Sequence, residues 1–364
     1  MKYVGNEEVD LDDYILKKIN APKLDKIKKK KLKWPESIYP LRDAPVEWWY
    51  FTGHVKSKEK PLGFEFCVFK VHPEIIRIGP IPLYLFKKKP YLIVHSAITD
   101  KKNKKFQYYT DSGLFEENKI NYNKLDLKLN DSSLKFNKSF NIKNKFIDLE
   151  IKPVKKIIRH FDEGLQIIHK NPESRAYYMS FTRLNVKGSV ILDGKKVNIS
   201  GEAWFDHQKS NMIKKSSLVG WDWFGIMLDD KTEIMISMVK DKKGKSKNYI
   251  GGTFVYKNSK KMNLGSKDIV VKNTGSWKSE KTGIEYPSGW EINIPKIKVK
   301  MNVIPYVKDQ EIDSLFKTGA CYWEGACKVE CEKEKKKING EAYVELVGYD
   351  KRIIQEIWKQ STVE

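Results

Sequence analysis

The hydrophobic pattern divides the chain into a short N-terminal part and a long part made of strands. Between residues 7 and 19, apolar side chains recur at a spacing close to that of a short amphipathic helix. From Trp34 onward this spacing disappears, and short segments rich in β-branched and aromatic residues alternate with turns of Gly, Asn, Asp and Lys. Examples are GFEFCVFKV, YLIVHSAITD, EIMISMV and IKVKMNVIPYV. The pattern predicts an all-β sandwich or barrel after a short helical extension.

Two stretches of the chain repeat each other in outline. GEAWFD at Gly201–Asp206 recurs as GEAYVE at Gly340–Glu345, and EWWYFTG at Glu47–Gly53 corresponds loosely to GWDWFGI at Gly220–Ile226. Each unit therefore opens on a Trp-rich strand and closes on a strand of Gly, Glu, Ala and an aromatic residue. Such a repeat predicts two related β domains that share one strand plan.

The domain organisation follows from this repeat. We expect an N-terminal helix with a basic arm at residues 1–39, a first β domain at 40–208 and a second β domain at 216–360. The basic arm contains the lysine-rich run from Lys23 to Lys33. The sequence holds no GxGxxG or GxxxxGK[ST] phosphate loop, which argues against a nucleotide-binding α/β fold.

The charge of the chain narrows its range of partners. Its 364 residues carry a formal net charge of +22, yet only six of the 69 basic residues are arginine. Base readout and bidentate phosphate capture favour arginine, so we expect no nucleic-acid partner. Scattered lysines suit a solvated surface or peripheral contact with an anionic membrane. The pattern leaves the oligomeric state open.

Compartment and cofactors are predicted from what the sequence lacks. It has no apolar run of the roughly 18–20 residues that a transmembrane helix needs, and no signal pattern opens it. The four cysteines form no CxxC pair, and the six histidines are scattered. We therefore expect a reduced, cytoplasmic protein that at most touches a membrane surface, with no metal site and no cofactor.

Acidic and aromatic residues alternate on the Trp-rich and Gly-Glu-Ala strands. Successive side chains of a strand point to opposite faces, so Asp206 shares a face with Trp204 and lies opposite His207. A carboxylic acid buried among apolar groups has a raised pKa and can donate a proton at neutral pH. Indole faces then stabilise the carbocation that alkene protonation forms. The alternatives are core packing for the tryptophans and structural pairing with Arg175, Arg183 or a backbone turn for the carboxylates.

This chemistry selects two sets of candidate site residues. Glu47 and Asp222 are included because each adjoins a tryptophan at the start of a repeat. The candidate catalytic residues are Asp206, His207, Glu47 and Asp222. The candidate substrate-binding residues are Trp48, Trp49, Tyr50, His95, Tyr178, Trp204, Trp221, Trp223, Trp323 and Glu324.

Together these motifs resemble the lipocalin-like carotenoid 1,2-hydratase and AttH-type family, whose members are hydroxyneurosporene synthase-like. The matching strings are EWWYFTGHV, HSAITD, GEAWFDHQ, GWDWFGIMLDD, YWEGA and GEAYVELVGY, in family order from about Arg42 to Tyr349. The resemblance implies two tandem lipocalin-like β domains packed side by side, with an apolar pocket where they meet. Fungal Diels–Alder cyclases share this architecture.

The resemblance also bears on the reaction. In the resembled hydratases a DHQW-like motif is associated with catalysis; here Asp206, His207 and Gln208 match it, and Lys209 stands where the tryptophan usually is. This departure favours an unlike substrate or a different reaction in the same cavity. We therefore expect an enzyme, a lyase or an isomerase without a redox cofactor, that hydrates, cyclises or isomerises a hydrophobic polyene, terpenoid or lipid. The alternative is a non-catalytic lipid carrier or an attachment-type protein.

One apolar segment, residues 75–94, contains three prolines and a run of three lysines. Prolines disfavour a central strand, so we expect a loop that acts as an apolar lid or interfacial wedge near a cavity mouth. Its exposed side chains would be Ile81, Leu83, Leu85 and Phe86, with Lys87–Lys89 meeting anionic headgroups. The alternative is a loop that simply covers an open end of a barrel.

Overall fold

The computed structural model describes residues 2–4, 7–9, 33–42, 44–58, 60–73, 77–78, 81–167, 175–210, 218–241 and 250–350. Within them the regular structure is nearly all strand, with one short helix and three 3-10 turns. The helix is α1 (Leu315–Thr318), and the turns are Glu36–Ile38, Leu83–Leu85 and Pro295–Ile297. The strands are β1 (Lys2–Val4), β2 (Glu7–Val9), β3 (Val46–Ser57), β4 (Lys60–Val71), β5 (Arg77–Ile78), β6 (Ile81–Pro82), β7 (Tyr91–Asp100), β8 (Lys105–Ser112), β9 (Asn118–Ile120), β10 (Asp126–Leu129), β11 (Ser132–Asn137), β12 (Ser139–Lys143), β13 (Ile147–Pro153), β14 (Ile158–Arg159), β15 (Leu165–Ile167), β16 (Arg175–Leu192), β17 (Lys195–Ser210), β18 (Leu218–Leu228), β19 (Glu233–Asp241), β20 (Ile250–Val255), β21 (Lys261–Leu264), β22 (Val270–Asn273), β23 (Ser276–Lys278), β24 (Glu285–Pro287), β25 (Trp290–Ile294), β26 (Val299–Pro305), β27 (Glu311–Ser314), β28 (Ala320–Lys333) and β29 (Lys336–Val347).

The first large sheet contains β3, β4 and the strands from β7 to β17. Its order is β8-β7-β4-β3-β17-β16-β13-β12-β11-β10-β9, and β14 and β15 add to β16. The first and last strands along the chain, β3 and β17, are therefore neighbours, and the sheet curls. Its core includes the fully buried rings of Trp49, Phe51, Phe140 and Phe205. Burying each such aromatic side chain contributes about 1.5–3 kcal/mol.

The second large sheet contains most strands from β18 to β29. Its order is β21-β20-β19-β18-β29-β28-β26-β25-β22, and β27 adds to β28. Here too the first and last strands, β18 and β29, pair side by side. A separate core that includes Phe224, Trp290 and Trp323 packs against it. The chain therefore forms two curled half-barrel sheets, which confirms the predicted all-β class with two lipocalin-like β domains.

The strand register confirms that the two sheets repeat one plan. Asp206 lies opposite Tyr50 where β17 pairs with β3, and Glu345 lies opposite Trp223 where β29 pairs with β18. GEAWFD and GEAYVE thus occupy equivalent strands. Each has the Trp-rich opening strand on one side and the preceding long strand, β16 or β28, on the other. The exact boundaries at 40–208 and 216–360 stay a prediction.

The first residues of the N-terminal extension form a strand where the sequence predicted a helix. Glu7–Val9, expected to begin an amphipathic helix, instead forms β2 and pairs with β1, so the helix is wrong at these positions. The Gly-Asn pair between the two strands in the sequence is typical of a two-residue hairpin, which outweighs the helical spacing. Residues 10–32, which include most of the basic arm Lys23–Lys33, lie outside the described residues.

The Pro-rich segment is only partly the loop that was expected. β5 and β6 pair as a short ribbon, and a 3-10 turn follows at Leu83–Leu85. Its last residues, from Tyr91, belong to β7 inside the first sheet. Leu83 is only 1% exposed, so the expectation that it is exposed is wrong, whereas Phe86 is 68% exposed. None of the helical segments in the described part of the chain has the length and apolar character that a bilayer crossing requires.

Candidate active site between the two sheets

The central strands of both sheets are buried on both faces. In β3, Trp49 and Phe51 point into the first core, whereas Tyr50 belongs to a cluster that also contains residues of the second sheet. Strand alternation produces this division, because neighbouring side chains point to opposite faces. The face that each sheet turns away from its own core therefore meets the other sheet.

A cluster of aromatic side chains fills this interface. The Tyr50 and Trp223 rings meet edge to face at a centroid distance of 5.3 Å, and the Trp204 and Trp223 rings at 5.9 Å. Trp48 and Trp221, which occupy equivalent positions in the two repeats, are half-buried at its margin. The buried members are Tyr50, Cys67, Tyr178, Trp204, Trp223, Met227, Met235, Ala326 and Tyr343.

Asp206 lies in this aromatic cluster and is held by three hydrogen bonds. The Trp204 Nε1–H group donates to its Oδ1 atom at 2.6 Å, the Ser180 hydroxyl donates to the same oxygen, and the Tyr178 hydroxyl donates to Oδ2. Burial raises the pKa of Asp206 to about 7, although these three donors act to lower it. The carboxyl group is therefore both fixed in orientation and close to half protonated at neutral pH.

Glu345 is the counterpart of Asp206 in the second repeat. Its Oε2 atom accepts a hydrogen bond of 2.7 Å from the indole N–H of Trp221. Burial raises the pKa of Glu345 to about 7, and the nearby charge of Asp206 acts in the same direction. Each repeat thus supplies one carboxyl group at the interface that an indole N–H orients.

Two further carboxyl groups, those of Glu324 and Glu65, complete an acidic cluster. Glu324 lies directly opposite Glu345 in the pairing of β28 with β29. Burial raises the pKa of both Glu324 and Glu65 well above the usual range, with neighbouring carboxylates adding to the effect. Neither carboxyl oxygen of Glu65 has a hydrogen-bond partner among the described residues. Burial and the neighbouring carboxylates therefore favour the protonated, neutral form of both groups.

Hydrogen bonds cross between the sheets in a reciprocal way. The Tyr50 hydroxyl in the first sheet donates to Oε1 of Glu324 in the second sheet at 2.7 Å. Trp223, which occupies the position equivalent to Tyr50, donates its indole N–H to the Tyr178 hydroxyl of the first sheet at 2.8 Å. Tyr178 in turn donates to Asp206. The two repeats therefore lock together through the same residues that surround the acids.

A buried histidine extends the network behind Asp206. His160 Nε2 lies 2.6 Å from the Ser180 hydroxyl, and its Nδ1 lies 2.9 Å from the Thr253 hydroxyl of the second sheet. Ser180 gives its only proton to Asp206, so Nε2 of His160 is the donor to Ser180. Burial lowers the pKa of His160 to about 3, which keeps the ring neutral. Ser180 is thus a relay for a hydrogen bond, not an activated nucleophile.

The interface contains most of the residues that were predicted to bind a substrate. His95 lies beside it and hydrogen-bonds through Nδ1 to the Tyr322 hydroxyl at 2.8 Å. Trp49 and Trp323 lie elsewhere, since each packs in the core of its own sheet. The residues that the structure brings to the interface are Trp48, Tyr50, Tyr178, Trp204, Trp221, Trp223 and Glu324.

The four predicted catalytic residues are not brought together. His207 lies on the first-core face of β17, opposite to Asp206, and its Nε2 atom is 3.4 Å from Oε1 of Glu47. Asp222 points toward the second core and pairs with Lys240 at 2.6 Å. Asp206 is thus the member of this group that reaches the aromatic interface. Adjacent positions on one strand cannot share a site that lies on one face.

Lys209 also lies on the first-core face. Its Nζ atom donates to the Tyr39 carbonyl oxygen at 2.8 Å and is 3.5 Å from Oε1 of Glu47. Lys70 pairs with the same carboxylate at 3.1 Å. Although burial raises the pKa of Glu47, these lysines and His207 lower it to about 2. Lys209 therefore contacts the Glu47 side of β17 and not the aromatic and acidic interface.

Sequence reasoning missed four residues of the interface network: Glu65, Glu345, Ser180 and His160. Glu345 had a signal, because alignment of GEAYVE with GEAWFD places it at the position of Asp206. Glu65 also had one, since GFEFCVF puts an acid between phenylalanines on an alternating strand. Ser180 and His160 had none, because their roles depend on pairing across strands and between sheets.

The arrangement can transfer protons in an apolar environment. Asp206 and Glu345 have pKa values of about 7, so each can give and take a proton near neutral pH. Indole faces next to them stabilise positive charge. Among the described residues, no group of three or more His, Cys, Asp and Glu side chains is arranged to hold a metal ion.

A cavity away from this interface lies beside the ribbon of β23 and β24. It has a volume of about 780 Å³, and Tyr286 and Tyr349 are among its lining residues. The Tyr286 hydroxyl donates a hydrogen bond to Oε1 of Glu311 at 3.0 Å, and the Tyr349 hydroxyl donates one to Oδ1 of Asp222 at 2.9 Å. The residues that line it include none of the four interface carboxyls, so the two places are distinct.

Comparison with known proteins extends these findings. A family model described as AttH-like matches residues 26–349, whereas no curated protein matches the sequence. A crystal structure from Nitrosomonas europaea with the provisional name AttH aligns with a TM-score of 0.78 and 22% identity, over 90% of this chain and 100% of that one. Kievitone hydratase from Nectria haematococca aligns with a TM-score of 0.68 and 13% identity, over 87% and 93%. These likenesses show a shared fold.

Proposed function

The chain belongs to the AttH-like family, and we propose that it is an enzyme that acts by proton transfer on a hydrophobic, unsaturated molecule bound between its two sheets. The substrate class is a polyene, a terpenoid or an unsaturated lipid. The reaction is hydration, cyclisation or isomerisation without a redox cofactor. The four cysteines, which are buried free thiols, fit the reducing cytoplasm that we propose as its location.

One observation carries the proposal: two carboxyl groups with pKa values of about 7, that of buried Asp206 and that of partly buried Glu345, lie among indole rings at the interface. A pKa near the working pH is what a general acid needs, because the group must be protonated at the start and must be reprotonated after each turnover. A protein that only carries a lipid gains nothing from such groups, since burying them costs stability. The aromatic and acidic composition therefore favours catalysis over transport.

The steps follow from the positions of these groups. Protonated Asp206 gives its proton to one carbon of a C=C bond, and the π electrons form the new C–H bond, which leaves a carbocation at the other carbon. The rings of Trp204 and Trp223 stabilise this cation by about 0.5–2 kcal/mol each. Water then adds and returns a proton to Asp206, which gives hydration. Attack by a second alkene forms a ring and moves the positive charge to that alkene, and loss of an adjacent proton to a carboxylate then gives a neutral cyclic product. Loss of a proton next to the first cation, without such an attack, gives an isomer.

Glu345 is the second acid–base group of this mechanism. Its position in the repeat is equivalent to that of Asp206, so a ligand between the sheets meets one titratable carboxyl group from each side. Either group can protonate the alkene, and whichever is then deprotonated, Asp206 in the steps above, accepts a proton from the attacking water or from the cation. Burial raises the pKa of Glu65 and Glu324, which favours their neutral form and limits the negative charge in the cluster.

The test begins with the ligand. Lipids that co-purify with the wild-type protein are identified by untargeted mass spectrometry and incubated with wild type, Asp206→Asn and Glu345→Gln, with Glu330→Gln on the exposed side of β28 as the matched control. We expect both interface variants to bind the ligand within about tenfold of wild type, or about 1.4 kcal/mol, and to lose turnover. Turnover that survives in both variants contradicts the mechanism, and binding without turnover in wild type makes the protein a carrier.

A further inference from the structure

Three phenylalanines stand out among the described residues because their side chains face solvent. Phe316 is 100% exposed, Phe115 is 85% exposed and Phe86 is 68% exposed, the highest values of any large hydrophobic side chain described. Exposing an aromatic ring forfeits the free energy that its burial would contribute. Contiguous exposed apolar groups mark interaction sites. The question is therefore whether the three rings lie near one another.

The three rings come from separate segments that converge on one end of β8. The Lys87 Nζ atom, one residue after Phe86, donates to the Gly113 carbonyl oxygen at 2.9 Å, just past the end of β8. Phe115 follows Gly113 by two residues. Leu83 packs beside Leu114 in a small cluster and anchors the Phe86 turn to the same place.

Helix α1 joins this place from the second half of the chain. The Ser314 hydroxyl donates to the Thr110 hydroxyl near the end of β8 at 2.8 Å, and Lys317 donates to the Thr110 carbonyl oxygen. Phe316 lies between these two contacts in sequence and points to solvent. We call the surface made by Phe86, Phe115 and Phe316 the phenylalanine surface.

We propose that the phenylalanine surface docks the protein on an anionic lipid bilayer. Aromatic side chains on exposed turns, with basic residues beside them, are what a protein needs to insert shallowly into the interfacial region. Lys88 and Lys89 are exposed next to Phe86, and Lys317 follows Phe316. The net charge of +22 adds a long-range attraction to negatively charged headgroups.

Acidic residues near the phenylalanine surface reduce the electrostatic part of membrane binding relative to the part that comes from insertion of the rings. Glu116 and Glu117 are exposed beside Phe115, and Asp111 lies 3.6 Å from Lys317, so the local charge is only weakly positive. Screening by salt therefore removes the long-range part, while the three inserted rings continue to hold the protein. This differs from the sequence expectation, in which Leu83 inserts, because Leu83 is buried and anchors the turn.

The phenylalanine surface leads directly to the interface between the sheets. Thr318, the last residue of α1, places its hydroxyl 2.9 Å from Nε2 of His95, whose Nδ1 contacts Tyr322. Phe69 packs both on the interface cluster and on the Leu83 cluster. A hydrophobic molecule that leaves the bilayer at this surface is thus next to the aromatic cluster, although docking itself does not depend on the proposed reaction.

The test measures binding of the full-length protein to vesicles. Wild type, the triple variant Phe86→Ser, Phe115→Ser, Phe316→Ser, and the control Val270→Ser, Ile304→Ser are sedimented with phosphatidylcholine vesicles that contain or lack phosphatidylglycerol. Val270 and Ile304 are also exposed but lie on the second sheet. Each inserted phenylalanine contributes about tenfold in affinity, so we expect the triple variant to lose binding by about a thousandfold and the control to bind as wild type does.

A second measurement reports insertion directly. All four native cysteines are buried, so Phe115→Cys can be labelled with an environment-sensitive fluorophore, with Val270→Cys as the control. We expect a blue shift on anionic vesicles for the first label only, retained at high salt. The proposal is overturned if wild type ignores anionic vesicles at low salt or if the triple variant binds as wild type does. It is also overturned if the phenylalanines prove to mediate self-association that vesicles do not displace.

Discussion

Replacement of Asp206 by asparagine should flatten the dependence of stability on pH. Asp206 is fully enclosed, and burial raises its pKa from 3.8 to about 7. The folded protein therefore holds this proton more tightly than the unfolded chain does. Since a folded state that binds more protons loses stability as pH rises, the wild type should become less stable between about pH 4 and about pH 7, and its stability should then level off.

The size of the effect follows from the shift in pKa. Each pKa unit corresponds to about 1.4 kcal/mol, so a rise of about three units corresponds to about 4 kcal/mol over the whole range. Between about pH 5 and about pH 8, where the protein can be handled, the same relation gives a loss of about 2–3 kcal/mol from this group. Asparagine has no proton to lose, so the variant should lack this part of the slope. Its amide oxygen can still accept the hydrogen bonds from Trp204 and Ser180.

The assay is urea unfolding at a series of pH values, read by tryptophan fluorescence, for wild type, Asp206→Asn and Asp148→Asn. Asp148 is exposed on β13, and the variant serves as the control for the loss of one surface carboxylate. The free energy of unfolding of Asp206→Asn minus that of wild type should grow by about 2–3 kcal/mol from acid to neutral pH, while the control shows no such trend. Parallel curves for Asp206→Asn and wild type would refute the raised pKa and with it the choice of Asp206 as proton donor.

Three other predictions concern residues around the site. His160→Phe should raise the pKa of Asp206 above its value of about 7, because the Ser180 hydroxyl loses the hydrogen-bond donor that polarises it. Infrared titration of the carboxyl band should detect this rise. His160→Gln should return the pKa of Asp206 most of the way to the wild-type value. Lys209→Met should destabilise the protein by about 3–5 kcal/mol, since it breaks a buried ion pair with Glu47. Because the pKa of Glu47 lies at about 2, this loss of stability should be full at neutral pH and should shrink in acid. Denaturation curves at neutral and at acid pH will measure the difference. Gly225→Ala should destabilise the protein by about 1–3 kcal/mol by overpacking, because a Cβ there would lie 2.3 Å from the indole ring of Trp223. The near-ultraviolet circular dichroism signal should change as well. An unchanged signal together with unchanged stability would contradict this packing.

Much of the strand plan could be read from the sequence, because a strand has a period of two residues. The alternation in EWWYFTG correctly separates Trp49, in the first core, from Tyr50, at the interface. When both faces of a strand are buried, the alternation of its side chains does not show which face packs on the other sheet and which faces the core of its own sheet. That choice depends on how the sheets pack, and for this reason Trp323 was expected in the site and lies in a core.

The acidic cluster shows the limit of sequence reasoning more clearly. Glu65 and Glu345 are far apart in the chain, and they meet only because β4 and β29 belong to sheets that face each other. Conversely, Asp206 and His207 are adjacent in sequence and lie on opposite faces of β17. Distance along the chain is thus a poor guide to distance in a sheet, whereas the repeat is a good one, since it pairs Glu345 with Asp206.

The most direct test of the account is whether the protein places a solvent proton on a carbon atom of its ligand. Wild type and the double variant Asp206→Asn, Glu345→Gln are incubated in deuterium oxide with the lipid that co-purifies with the protein, and the products are analysed by mass spectrometry. Acid-assisted hydration, cyclisation or isomerisation predicts deuterium bound to carbon in the wild-type products and none with the double variant. Products without deuterium on carbon, or equal incorporation by the double variant, would contradict proton transfer from the carboxyl groups between the sheets.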